Sequence, residues 1–98
     1  MSTQTMTELI AQYFKTQPVL KAWLFGSFSR GEETPKSDVD ILVRYDENAR
    51  ISLLTISHMM GVLEKLIHRR VDLVEEGCLL PLAEETANRD KILIYERA

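Results

Sequence analysis

Asp38 and Asp40 flank Val39 at the head of an apolar run, DVDILV, and Asp72 opens a second such run in VDLV. Side chains of a strand alternate faces, so Asp38 and Asp40 point one way and Val39 the other. At about 3.3 Å of rise per residue their Cα atoms stand roughly 6.6 Å apart. Both carboxylates then reach a single ion, or a pair of ions about 3.5–4 Å apart. Without a cation the like charges repel and raise the pKa of one of them, and a divalent metal removes that conflict. Read alone, an Asp-x-Asp is more often an acid leading into a strand followed by one that faces water, and Asp72 alone is a surface acid at a strand start. What changes the weighing is Gly26-Ser27, at the end of an apolar stretch and just before a segment able to start a helix. There a glycine lets backbone N–H groups approach an anion and the hydroxyl adds a donor. Phosphate donors on one side and three carboxylates on the other suit two Mg²⁺ ions that share a substrate's phosphates.

The elements that must hold these residues follow from periodicity. Thr5 and Glu8 have capping-box spacing, and Leu9, Ile10, Tyr13 and Phe14 fall on one helical face, which predicts a first helix from about Met6 to Lys15, ended by Pro18. VLKAWLF reads as a strand stopped by Gly26, and Val39 to Val43 as a second, mostly buried one. Ile56, Met59, Leu63, Leu66 and Ile67 share a helical face, predicting a long helix between about Ser52 and His68. RVDLVEE makes a third strand, Pro81 and Asn88 bracket a short helix, and ILIY closes the chain as a fourth strand. The expected fold is α/β (α+β): a small mixed β-sheet of about four strands with helices packed on it, in a single domain spanning residues 1–98.

Composition narrows the function. With 45% hydrophobic and 28% charged residues the chain reads as an ordinary globular protein. Its 12 basic and 15 acidic residues leave a net charge of -3, which argues against binding nucleic acid through a basic face. Only Arg69 and Arg70 pair up among the scattered basic residues. The single cysteine, Cys78, excludes an internal disulfide, gives no metal-knuckle spacing and suits a reducing cytoplasm. No apolar run approaches the roughly 20 residues that span a bilayer, and MSTQTMTE has no signal-peptide pattern. His58 and His68, ten apart on one helix at about 100° per residue, face different directions and form no site together. Met59 and Met60 read as core or partner surface, Trp23 as packing, Cys78 as a buried or half-buried thiol, and EETPK as a charged, mobile loop.

The string GSFSRGEETPKSDVDILV, with VDLV further on, resembles the nucleotidyltransferase superfamily of the DNA polymerase beta type. More narrowly it is similar to the minimal nucleotidyltransferase (MNT) domains that form the antitoxin half of HEPN/MNT toxin–antitoxin pairs. The resemblance covers nearly the whole chain, and the joint motif is specific although each part alone is weak. It implies that Gly26 and Ser27 hold the terminal phosphates of ATP, that Asp38 and Asp40 ligate both Mg²⁺ ions, and that Asp72 completes the site and takes the proton of the attacking hydroxyl. Arg30 either contacts a phosphate or pairs with an acid of the site, with the pairing favoured, and Ser37 bonds locally to the backbone to set Asp38. Ser29 stands where many relatives carry alanine. A chain of this length has no room for a domain that holds a second substrate, so the acceptor is expected to be a protein. The resemblance implies that AMP passes from ATP to a tyrosine of the HEPN toxin, silencing its RNase activity. Two other functions stay open: a non-catalytic antitoxin that blocks the toxin, and a nucleotidyltransferase acting on a small molecule such as an aminoglycoside.

Overall fold

A computed structural model describes residues 1–98. Eight elements follow one another: α1 (Thr3–Phe14), β1 (Val19–Phe25), α2 (Ser27–Arg30), β2 (Val39–Tyr45), α3 (Leu53–Ile67), β3 (Val71–Glu75), α4 (Pro81–Asp90) and β4 (Ile92–Glu96). The strands form one mixed sheet in the order β3-β2-β1-β4. β1 pairs antiparallel with both β2 and β4, whereas α3 carries the chain across so that β3 lies parallel to β2. No helix is long and apolar enough to cross a membrane.

Alternation along the strands gives the sheet two different faces. Val39, Ile41, Val43 and Tyr45 of β2 join Met6, Ile10 and Phe14 of α1 and Met59, Leu63 and Ile67 of α3 in a core of 16 buried residues. Each large apolar side chain buried there contributes about 1.5–3 kcal/mol over leaving it in water. Asp40, Leu42 and Arg44 alternate to the opposite face, where Leu42 packs with Trp23 and with Ala87 of α4 in a cluster of 3 buried residues. The cations of Arg44 and Lys91 lie over the Trp23 ring, at 5.5 and 4.4 Å from its centroid. That second face is thinly covered, and it is the one that carries Asp40.

Several boundaries differ from expectation for local reasons. α1 begins at Thr3, not Met6, because Ser2 is its cap: Ser2 Oγ accepts from the Thr5 N–H at 3.1 Å and donates to Thr5 Oγ1 at 3.0 Å. Glu8 instead accepts from the Gln4 side chain. α3 is closed at its start by the Ser52–Thr55 capping box and at its end by His68 in the left-handed conformation, and Leu66, expected on its buried face, is 37% exposed. α4 continues past Asn88 to Asp90, and the Asn88 side-chain oxygen Oδ1 accepts from Lys91 Nζ rather than ending the helix. Cys78, expected to be at least half-buried, is exposed. It follows Gly77, whose φ of 91° turns the chain away from the sheet at the end of β3, and its thiol meets the Glu75 carboxylate.

Candidate active site

The end of β1 and the start of β2 meet as antiparallel partners, Phe25 opposite Asp40. Gly26 then leaves the strand with φ 72° and ψ −148°, a conformation that L side chains rarely adopt, and serves as the N-cap of α2. A Cβ at Gly26 would overlap Oδ2 of Asp40, so glycine is what allows the α2 turn to lie against that carboxylate. Ser29 Oγ donates to the Gly26 carbonyl at 2.8 Å and the Ser29 N–H does so at 3.1 Å, which locks the turn that presents Ser27. Serine in place of alanine at position 29 thus adds a bond to the turn.

Asp38 is exposed and stands one residue before β2, where Ser37 holds the preceding turn by accepting the Thr34 N–H at 2.8 Å. Asp40 is half-buried within β2, and the parallel β2–β3 ladder sets it directly opposite the exposed Asp72. Burial raises the pKa of Asp40, and the carboxylates of Asp72 and then Asp38 raise it further, while the Arg30 cation opposes them. The charges of the other two acids are therefore both felt at the Asp40 carboxyl group. Their side chains do not close into a ready-made cage of three ligands. Mg²⁺ commonly takes only one or two carboxylates and completes its shell with water and phosphate oxygens, so an open cluster of hard oxygen donors suits it.

Arg30 departs from expectation. Its ion pair is with Glu32, at 3.3 Å, and not with any of the three acids, because Gly31 in the left-handed conformation folds the chain back and brings Glu32 beside it. The guanidinium stays exposed at the rim and acts on Asp40 only through its charge. The EETPK segment is solvated yet tethered: Arg69 Nη1 donates to the carbonyls of Thr34 and Ser37 at 3.1 and 3.0 Å. Two features escaped the sequence reading. One is Arg69, whose signal was the chain's lone pair of adjacent arginines, directly before VDLV. The other is a cleft of about 520 Å³ between Gly26, Arg30 and the Leu80, Leu82, Ala83 and Thr86 side of α4, to which helical periodicity in so short and polar a segment gave no clue.

The profile of the polymerase beta nucleotidyltransferase family matches residues 8–98. The chain belongs to that family. This nucleotidyltransferase is 39% identical over 71 residues to the protein adenylyltransferase MntA of Thermococcus cleftensis, covering 72% of this chain and 70% of that one. Among solved structures it superposes on a toxin–antitoxin complex with AMP-PNP, with a TM-score of 0.74 over 98% of this chain and 75% of the other, at 17% identity. It also matches the complex of a tri-AMPylated Shewanella oneidensis HEPN toxin with its MNT antitoxin, with a TM-score of 0.70, 17% identity, and 96% and 72% coverage. At that identity the two complexes establish a shared fold.

Proposed function

We propose that this nucleotidyltransferase is an antitoxin that transfers AMP from ATP to a tyrosine of a cognate HEPN toxin, acting as a single minimal domain. The observation that carries the reading is the register of Asp40 opposite Asp72, with Gly26 cleared of a side chain so that the Ser27 turn lies against the same carboxylate. Names borne by relatives support the acceptor class: a 39% identical protein is called a protein adenylyltransferase, and a structure of the same fold holds an AMPylated HEPN toxin. The free thiol of Cys78 supports a reducing, cytoplasmic setting.

In this reading Asp38, Asp40 and Asp72 would hold Mg²⁺, which would supply charge neutralisation for the triphosphate and for the charge that develops during transfer. The donor set fits it: three oxygen acids on one edge, with an Asp40 carboxyl whose pKa is raised first by burial and then by the repulsion of Asp72 and Asp38, which a cation would relieve. Gly26 and Ser27 bind the β- and γ-phosphates through backbone N–H groups and the Ser27 hydroxyl. Asp72 accepts the proton of the toxin's tyrosine hydroxyl. The tyrosine oxygen then bonds to the α-phosphorus in line with the departing bridging oxygen, whose bond to that phosphorus breaks and releases pyrophosphate. Strands hold Asp40 and Asp72 without adjustment at the moment of reaction, and that preorganisation is the protein's largest contribution.

The test is intact-mass spectrometry of the cognate toxin after incubation with this protein, ATP and Mg²⁺. Gain of one or more AMP units, lost in an Asp38→Asn/Asp40→Asn variant, establishes the activity. An unchanged mass with a stable complex replaces it with neutralisation by blocking.

A further inference from the structure

Asp38 has an unusual dependence on one dipeptide. It lies outside the β2 ladder, so its backbone is not held by strand pairing of its own. The peptide groups on either side of it are held instead by Arg69 and Arg70, in the connection between α3 and β3. On the near side, Arg69 Nη1 donates to the Ser37 carbonyl at 3.0 Å, and to the Thr34 and Pro35 carbonyls at 3.1 and 3.4 Å. On the far side, the Val39 N–H donates to the Arg70 carbonyl at 2.8 Å. The Arg69 guanidinium also lies over the Phe28 ring, 5.0 Å from its centroid, and Phe28 follows Ser27 in α2. The dipeptide is anchored in turn: the Val71 N–H donates to Glu64 Oε2 of α3 at 3.0 Å, and Asp72 comes next in β3. One side chain therefore joins the three segments that deliver Ser27, Asp38 and Asp72.

We propose that Arg69 is a positioning residue for nucleotidyl transfer, setting the Asp38 carboxylate and the Ser27 turn against Asp72 through the Ser37 carbonyl and the Phe28 ring. This rests on the reading above in which the three acids hold the metal and nucleotide. Arginine suits the place because one end of its planar guanidinium, Nη1, donates to the carbonyls while the plane itself lies over the Phe28 ring, whereas lysine would have to use its single compact ammonium for both. The role is exerted through neighbours, the Ser37 carbonyl beside Asp38 and the Phe28 ring beside Ser27. Partners of this kind, one step removed from the ligands, commonly govern metal affinity by about 10–100-fold.

The experiment compares wild type, Arg69→Gln and Arg69→Lys, with Arg50→Gln as an exposed control. Mn²⁺ is titrated by electron paramagnetic resonance in the presence of a non-hydrolysable ATP analogue, alongside circular dichroism and thermal melting. Where the wild type modifies its toxin, kcat and KM for ATP are read as well. Arg69→Gln is expected to weaken Mn²⁺ binding by about 10–100-fold while folded, with kcat falling more than KM changes; Arg69→Lys recovers part of both, and Arg50→Gln neither. Wild-type Mn²⁺ affinity in folded Arg69→Gln overturns the proposal. If Arg69→Gln does not fold, Arg69→Lys decides: reduced Mn²⁺ affinity at unchanged helical content supports the role, and wild-type affinity overturns it. A wild type that binds Mn²⁺ and the analogue but adds no mass to its toxin defeats the adenylylation reading and leaves the Arg69 comparison intact. A wild type that binds no Mn²⁺ with the analogue defeats both.

Discussion

Asp40 of β2 and Asp72 of β3 are register partners in a parallel strand pair, and the Asp72 carboxylate adds to the cost that burial already places on ionising Asp40. Adjacent strands run about 4.8 Å apart, so two like charges held there are a standing strain on the metal-free protein. Asp40→Asn removes one of them. It is expected to raise the melting temperature at pH 7 in EDTA while cutting AMP transfer by on the order of 10³-fold. The sign with pH follows from the raised pKa: the stability linked to Asp40 is fully present below its ordinary value of 3.8 and is lost as pH rises through the higher value in the fold. Calorimetry in EDTA should show the advantage of Asp40→Asn over wild type growing from pH 4 to pH 7, and a variant less stable than wild type at pH 7 would contradict this.

Gly26→Ala is expected to be among the most damaging single-methyl changes in the chain. The added Cβ meets the Asp40 carboxylate, and a φ of 72° with ψ −148°, a region essentially confined to glycine, costs a non-glycine residue about 1–3 kcal/mol. Displacement of the carboxylate should lower transfer by on the order of 100-fold. Steady-state rates together with a melting curve separate the two effects, and a fully active Gly26→Ala protein would show that the turn can be rebuilt without loss.

Tyr45 carries a hydroxyl that is buried without a hydrogen-bond partner, and burial together with the Glu75 carboxylate pushes its pKa up to about 12. Its ring belongs to the main core. Tyr45→Phe keeps the ring and removes the unpaired group, so it should stabilise the protein by about 1 kcal/mol, some 4–8 °C in melting temperature. Calorimetry at pH 7 tests this, and a fall in melting temperature would mean that the hydroxyl has a partner in solution.

Asp46 behaves in the opposite sense to Asp40. Arg97 Nη1 donates to its Oδ2 at 2.8 Å and the Asn48 N–H to its Oδ1 at 2.9 Å, and these bonds hold its pKa below the ordinary value. Arg97 also donates to the Gln17 and Leu20 carbonyls, so the pair ties the end of β4 to β1. The stability it adds is present above pH 3.8 and disappears as pH falls through the depressed value. Melting curves of wild type and Asp46→Asn should therefore differ by a constant amount from pH 5 to pH 7 and converge below pH 3; a gap that widens in acid would exclude the assignment.

What the sequence determined by itself was everything that depends on a few neighbouring residues. Period-two alternation in DVDILV turned Val39, Ile41 and Val43 inward and Asp40 away from them, and period-3.6 spacing selected Met59, Leu63 and Ile67. Gly26 marked its own turn because only glycine fits that conformation readily, and Ser37 took the local backbone bond expected of it. The order of helices and strands followed from the same short-range signals. Tertiary structure alone decided relations between distant segments. The register that sets Asp40 against Asp72 depends on α3 packing across the sheet and returning β3 parallel to β2. The pairing of Arg30 with Glu32 depends on the fold of the Gly31 turn, and the exposure of Cys78 on where β3 ends. Arg69 shows the division plainly: its type and position were visible in the chain, but the carbonyls of Thr34 and Ser37 became its partners only once the sheet had brought the two loops together. Local patterns encode which face a side chain takes; the meeting of two faces is set by packing summed over the whole core.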